Sequence, residues 1–195
     1  MAWIKPLSKD TTPELAEDFA IFEKILGFVP NSLLTMQRRP AIVQGFGVLT
    51  KAVMAADGAV DPGFKRLLAH FASTASGCRY CQAHSLVAAE LSGIDEAKLN
   101  DLWSYKTSDL YSEGERAALD YALAAGSVPN TVDDELMQRM QANWSDEQIV
   151  EILAAICLYG FLNRWNDSMA TELEDGPLSK ARSVLDKEWD AGKHS

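Results

Sequence analysis

The stretch Ser76-Gly77-Cys78-Arg79-Tyr80-Cys81-Gln82-Ala83-His84-Ser85 closes one helical pattern and opens another. Gly77 permits the break, because glycine takes up the left-handed backbone that ends a helix at little cost. Cys78 and Cys81 then fall in the first turn of the second helix. Free backbone N–H groups and the helix dipole favour an anion there, which predicts a lowered thiol pKa. Spacing of three residues puts both sulfurs on one face, close enough to bridge. His84 follows three residues later on that face, where an imidazole can accept a thiol proton or stabilise a thiolate. Two thiols and a base within two turns make a compact redox unit. A CxxC pair is also half of a zinc site, but no second Cys/Cys or Cys/His pair stands at zinc-finger spacing. Cysteines also pack as inert small hydrophobes, against which the polar neighbours Arg79, Gln82 and His84 argue.

Outward from this segment the pattern is helical throughout, with no run of strict alternation long enough for a strand. The predicted helices are 12–26, 31–38, 40–56, 62–75, 79–92, 95–103, 113–126, 131–142, 145–170 and 177–190, an all-α fold. Start signals support them. Thr12 and Asp61 each precede a proline at a first helical position. Ser112 with Glu115, and Ser145 with Gln148, have capping-box spacing. Gly93 reads as a stop, and Asp95 as the cap of the next short helix. The tail from Asp186 to Ser195 is polar and is expected to fray.

A shift of 85 residues lays Asn163-Arg164-Trp165-Asn166 over Cys78-Arg79-Tyr80-Cys81, and Glu151-Ile152-Leu153-Ala154 over Arg66-Leu67-Leu68-Ala69. Two related halves, about 40–103 and 112–172, would explain the echo, and so would chance likeness of two amphipathic helices. Either way 1–195 is expected to form a single helical domain, with a final helix and tail at 177–195.

Bulk properties narrow the function. Of the 195 residues 47 % are hydrophobic, enough for a real core, and the formal net charge is −10. An acidic surface repels nucleic-acid phosphates and anionic membranes. No segment has the ~20 consecutive apolar residues of a membrane span. The N-terminus turns polar too early for a signal peptide, so a cytoplasmic location is expected. Disulfide scaffolds are rare in that compartment, and three cysteines call for another explanation.

The CxxC-histidine segment resembles the active-site motif of the alkylhydroperoxidase D and carboxymuconolactone decarboxylase superfamily. More narrowly, it is similar to the subgroup labelled peroxidase-related proteins. Leu26-Gly27-Phe28-Val29-Pro30-Asn31 with Arg39-Pro40 is similar to that subgroup's N-terminal signature. Ser112 to Ala122 is similar to the segment after the active-site helix, and Glu147 to Glu151 with Asn163-Arg164 to the C-terminal helix. The resemblance covers about residues 20–172. It implies an alkylhydroperoxidase D-like helical fold, a homo-oligomer (dimer, trimer or hexamer), and antioxidant reduction of hydrogen peroxide or organic hydroperoxides. By analogy Cys81, helped by His84, attacks the peroxide and becomes a sulfenic acid, and Cys78 resolves it to a disulfide. Helix-start electrostatics alone would favour Cys78 as the attacking thiol. An external dithiol, such as a lipoyl group on a partner protein, restores both thiols. No metal or tightly bound cofactor is implied.

Two positions depart from that pattern. The family's relay glutamate lies twelve residues before the first cysteine, where this chain has Arg66. The histidine of the best-known members falls where this chain has Ser85; the peroxidase-related subgroup has it one residue earlier. Without the glutamate, His70 is a candidate member of the relay, one turn from Arg66. Arg66 itself is a candidate electrostatic support for a thiolate. Glu151, at the repeat position of Arg66, offers a carboxylate from the second half. Cys157 lies in an apolar run and reads as core, and His194 in the tail reads as solvated. Trp144, Tyr159, Phe161 and Trp165 read as packing or interface residues, and Met36, Met54, Met137, Met140 and Met169 as core. Two other functions are compatible with the sequence: a lyase like carboxymuconolactone decarboxylase, which needs no CxxC pair, and a non-enzymatic redox-sensing module.

Overall fold

Each predicted helix occurs, mostly at the caps the sequence marks. The computed structural model describes residues 2–185 and 188–195. In chain order the helices are α1 (Ala16–Leu26), α2 (Asn31–Met36), α3 (Pro40–Val53), α4 (Pro62–Ala75), α5 (Arg79–Leu91), α6 (Glu96–Asn100), α7 (Glu113–Gly126), α8 (Asp134–Asn143), α9 (Asp146–Met169) and α10 (Asp175–Val184). No strand occurs among the described residues. The side chain of Asp61 accepts from the Phe64 N–H and that of Asp95 from the Ala97 N–H. Both capping boxes form, at Ser112/Glu115 and Ser145/Gln148. Thr12 makes no capping bond, however, and a 3-10 turn at Pro13–Leu15 precedes α1. The last helix also differs from its expected span. It begins at Asp175, and residues 188–190 are not helical, while Asp186 and Lys187 lie outside the described residues.

α4 is the central helix. From Gly63 to Ser73 all but Arg66 are buried, between α5 on one side and α7 and α9 on the others. α7 ends against it very closely: a Cβ on Gly126 would sit 2.8 Å from the backbone of Ala72, so any larger residue would drive the helices apart. Leu67, Leu68, Phe71, Leu86, Leu119 and Ile152 fill the space between these helices. A second apolar cluster, around Leu15, Phe19, Leu33, Val43 and Leu158, seats α1–α3 on α9.

The break between α4 and α5 is a Schellman turn. Gly77 takes φ +73°, its N–H donates to the Thr74 carbonyl at 3.0 Å, and the Cys78 N–H donates to the Ser73 carbonyl at 3.1 Å. In α9, by contrast, Asn163 to Asn166 continue an unbroken helix. Residues 188–195 of the tail do not fray. Leu173 N–H donates to the His194 carbonyl at 2.8 Å, and His194 is only 1 % exposed. The solvated histidine expected from the sequence is thus a buried one, held by main-chain bonding that local polarity does not reveal. Cys157 departs in the opposite sense: it is exposed on α9, not core.

Candidate active site

Cys78 is the N-cap residue of α5, and Cys81 lies in its first turn. Both are free thiols and both are fully buried. Burial pushes the Cys81 thiol well above its ordinary value, and the adjacent Cys78 pushes it further; a hydrogen bond from Asn166 acts the other way. Asn166 Nδ2 donates to Cys81 Sγ at 3.5 Å. The lowered thiol pKa expected from the helix start is therefore not found at Cys81, because desolvation of the anion outweighs the dipole. A resting thiol in this position needs a base that removes its proton as it reacts.

His84 can be that base. Its Nε2–H donates to the Glu174 carboxylate at 2.6 Å, which leaves the Nδ1 lone pair available. The ring stacks on Tyr80, with centroids 4.3 Å apart, and meets the edge of Phe28 at 5.8 Å. Glu174 is the N-cap residue of α10, yet its side chain caps nothing there. It crosses instead to the start of α2, where it accepts the Asn31 N–H at 2.6 Å, and it accepts the Tyr80 hydroxyl at 3.0 Å. Burial alone would raise the Glu174 pKa. The His84 imidazole and the Asn31 N–H outweigh burial and hold it below the usual carboxylate range. Burial raises the Tyr80 hydroxyl well above its ordinary value, so it remains a donor.

A carboxylate thus does orient His84, but it comes from neither candidate position. Glu151 accepts from the Ala59 N–H at 2.7 Å and pairs with the buried Lys65 at 2.6 Å. Glu174 sits in Glu172-Leu173-Glu174-Asp175, which reads as an acidic helix start, and nothing local marks which carboxylate turns inward. His70 is buried in a different direction. Its Nδ1 faces the Gln82 carbonyl at 3.1 Å and the Ser85 hydroxyl at 3.2 Å, and burial lowers its pKa to about 4. His70 is therefore neutral and bonded away from His84, which withdraws it from the relay. Arg66 does reach the site, donating to the Tyr159 hydroxyl at 3.4 Å.

Cys81, His84, Tyr80, Arg66 and Asn166 line one cavity of about 90 Å³; Cys78 does not. Most of the remaining wall is apolar, built from Phe22, Leu26, Leu33, Phe46, Leu158 and Leu162, with Ser32 and Thr50 as polar exceptions. This volume is several times what one water needs, in a site whose lining favours an organic guest.

Residues 40–124 match the model of the carboxymuconolactone decarboxylase family. The solved debrominase Bmp8 superposes with a TM-score of 0.88 and 34 % identity, over 94 % of this chain and 98 % of that one. The chain belongs to the carboxymuconolactone decarboxylase family. A further structure of that debrominase, a cysteine-to-alanine variant in complex with 2,3,4-tribromopyrrole, superposes equally well, with a TM-score of 0.88 and 33 % identity over 94 % of this chain and 97 % of that one. A peroxidase-related protein from Ralstonia eutropha JMP134, with an alkylhydroperoxidase AhpD core, shares the fold. Its TM-score is 0.76 at 22 % identity, over 89 % of this chain and 94 % of that one. YnjA of Escherichia coli (strain K12) is 33 % identical over 111 residues, 56 % of this chain and 60 % of YnjA. The chain spans about three fifths of the length of the curated relatives it matches. As a member of the carboxymuconolactone decarboxylase family it has the all-α, alkylhydroperoxidase D-like fold. No helix among the described residues is long and apolar enough to cross a membrane.

Proposed function

We propose that this protein is a dithiol-dependent reductase of apolar organic substrates, in which Cys81 meets the substrate and Cys78 resolves it. One observation carries the proposal: Cys81 and His84 share an apolar cavity, Cys78 does not reach it, and Glu174 holds His84 in the tautomer that leaves a base. With an organic hydroperoxide, His84 Nδ1 takes the thiol proton as the Cys81 sulfur attacks the terminal peroxide oxygen. The O–O bond breaks, and the alkoxide takes that proton and leaves as an alcohol. Cys78 then attacks the sulfenic sulfur, an S–S bond forms, and hydroxide leaves to become water. An external dithiol, such as a lipoyl arm on a partner protein, returns two electrons and two protons. The apolar walls favour organic hydroperoxides over hydrogen peroxide.

The likeness to the debrominase favours a second substrate class, halogenated aromatics. The Cys81 sulfur would take the halogen, the ring carbon would take the proton, and Cys78 would displace halide to give the same disulfide. Self-association into a dimer, trimer or hexamer belongs to the same proposal. Ile21 and Ile25 on α1, with Val48 and Leu49 on α3, leave apolar surface for a second copy to cover.

The test is single-turnover reaction of the fully reduced protein with cumene hydroperoxide or 2,3,4-tribromopyrrole, with thiols followed by mass spectrometry. Wild type should lose two thiols to one disulfide. Cys78→Ser should arrest with modified Cys81, and Cys81→Ser should not react. A modified Cys78 in Cys81→Ser would reverse the assignment. Reaction no faster than that of free cysteine with both substrates would end the reductase proposal. The faster substrate identifies the class.

A further inference from the structure

Behind the cavity, away from the face of the CxxC pair that lines it, Cys78 meets Asp167 of α9 and His194 of the tail. Donor atoms of Cys78, Asp167 and His194 all lie within 4.8 Å of one another. Cys78 and His194 are buried, at 0 % and 1 % exposure. His194 Nδ1 lies 2.7 Å from the Thr171 carbonyl, which can only accept, so Nδ1 carries the proton. Nε2 is then a lone pair. It is buried, makes no hydrogen bond, and sits 3.7 Å from Asp167 Oδ1. A buried acceptor left unpaired costs free energy that a purely structural histidine would be expected to avoid.

We propose that His194 is the base for Cys78, a second acid–base unit separate from His84 and dedicated to closing the disulfide. The proposal deepens the dithiol-reductase reading and rests on it for the first step. In the closing step the Cys78 S–H bond breaks and its proton passes to His194 Nε2. The sulfur's electron pair attacks Cys81, the S–S bond forms, and the pair of the S–O bond leaves with hydroxide, which takes a proton from solvent; in the halogen case the leaving group is halide. Asp167 accepts the proton from the imidazolium. Its carboxylate lines a polar cleft with Ser76, Asn163 and Arg164, on the opposite side of α9 from the substrate cavity, and pairs with Lys193 at 2.9 Å. Burial lowers the His194 pKa, against the opposing pull of the Thr171 carbonyl and Asp167, so the resting imidazole is neutral and ready to accept. The arrangement assigns each thiol its own histidine: Cys81 has His84 with Glu174, and Cys78 has His194 with Asp167.

The experiment separates the two steps. Reduced wild type, His194→Asn, His194→Gln and Asp167→Asn are mixed with cumene hydroperoxide and, separately, with diamide, an oxidant that needs no substrate pocket. Loss of the first thiol and formation of the Cys78–Cys81 disulfide are timed by quenched flow, with dimedone to capture sulfenic acid. Both His194 variants should lose the first thiol at the wild-type rate but close the disulfide about 100-fold more slowly, the lower end of what general base catalysis supplies. Dimedone should label Cys81 in the variants and not in wild type. The glutamine variant keeps side-chain bulk without a base, so closure at the wild-type rate in it overturns the proposal. Equal slowing of both steps assigns His194 to holding the tail in place and also overturns it. If cumene hydroperoxide fails to react while diamide closure keeps its His194 dependence, the hydroperoxide assignment falls and the base assignment stands.

Discussion

Glu174→Gln separates orientation of His84 from folding more cleanly than any other single change. Glu174 Oε1 accepts the Asn31 N–H at 2.6 Å and the Tyr80 hydroxyl at 3.0 Å, and Oε2 accepts His84 Nε2–H at 2.6 Å. A glutamine keeps its amide oxygen for Asn31 and Tyr80 and turns its NH₂ toward His84. Two donors then face each other, so His84 must move its proton to Nδ1 to accept from the amide. The lone pair proposed to serve Cys81 is lost. A hydrogen bond to a charged group contributes about 1.5–3 kcal/mol and a neutral one about half that, so the substitution costs on the order of 1–2 kcal/mol. The two side chains are only 11 % and 16 % exposed, so solvent screening takes little from this figure. In a chain of this size that is a fall in Tm of about 2–8 °C. The loss of rate should be far larger, about 100-fold or more, as for removal of a general base. Calorimetry gives the first number. Single-turnover thiol loss with cumene hydroperoxide, and Cys81 alkylation by iodoacetamide as a substrate-free check, give the second. A folded Glu174→Gln protein that keeps both rates within about threefold of wild type would refute a base role for His84, since general base catalysis typically supplies a factor of about 100 or more.

Other consequences follow from burial and charge. His70 has a pKa of about 4 in the folded protein and an ordinary value near 6.5. The unfolded chain therefore binds the extra proton first as pH falls, so stability is full above about 6.5 and is lost down to about 4, by about 3 kcal/mol at 1.36 kcal/mol per pH unit. Urea melts across that range should show this loss, and His70→Gln should remove it. Lys65, 1 % exposed, is neutralised by Glu151 at 2.6 Å and donates to the Val53 carbonyl at 3.1 Å. Glu151→Ala should cost about 3 kcal/mol by stranding a buried cation, whereas Lys65→Met should cost less, measured by denaturant midpoint. Cys157 is exposed while burial raises Cys81 well above the ordinary thiol value. Iodoacetamide at neutral pH should label Cys157 first, and labelling of Cys81 should climb with pH through the alkaline range; peptide mapping reads the order.

The sequence by itself determined the helices and marked the centre of the candidate site. Those features are local. Asp61, Asp95, Ser112 and Ser145 cap the helices they precede because the capping bond spans only two or three residues. Gly77 breaks α4 from α5 because only a left-handed residue completes that turn, and the break fixes Cys78, Cys81 and His84 relative to one another. What the tertiary structure decided lies far off along the chain. Glu174 reaches His84 across 90 residues, Asn166 reaches Cys81 across 85, and His194 is buried beside Cys78. Nothing within a helical turn of those residues distinguishes them from surface polar groups. Burial was also beyond local reading: helix-start position predicted a more acidic Cys81, and removal of the thiolate from water reversed the sign. Helix periodicity shows which residues share a face. Only the packing of α9, α10 and the tail around α5 shows which carboxylate and which histidine that face meets.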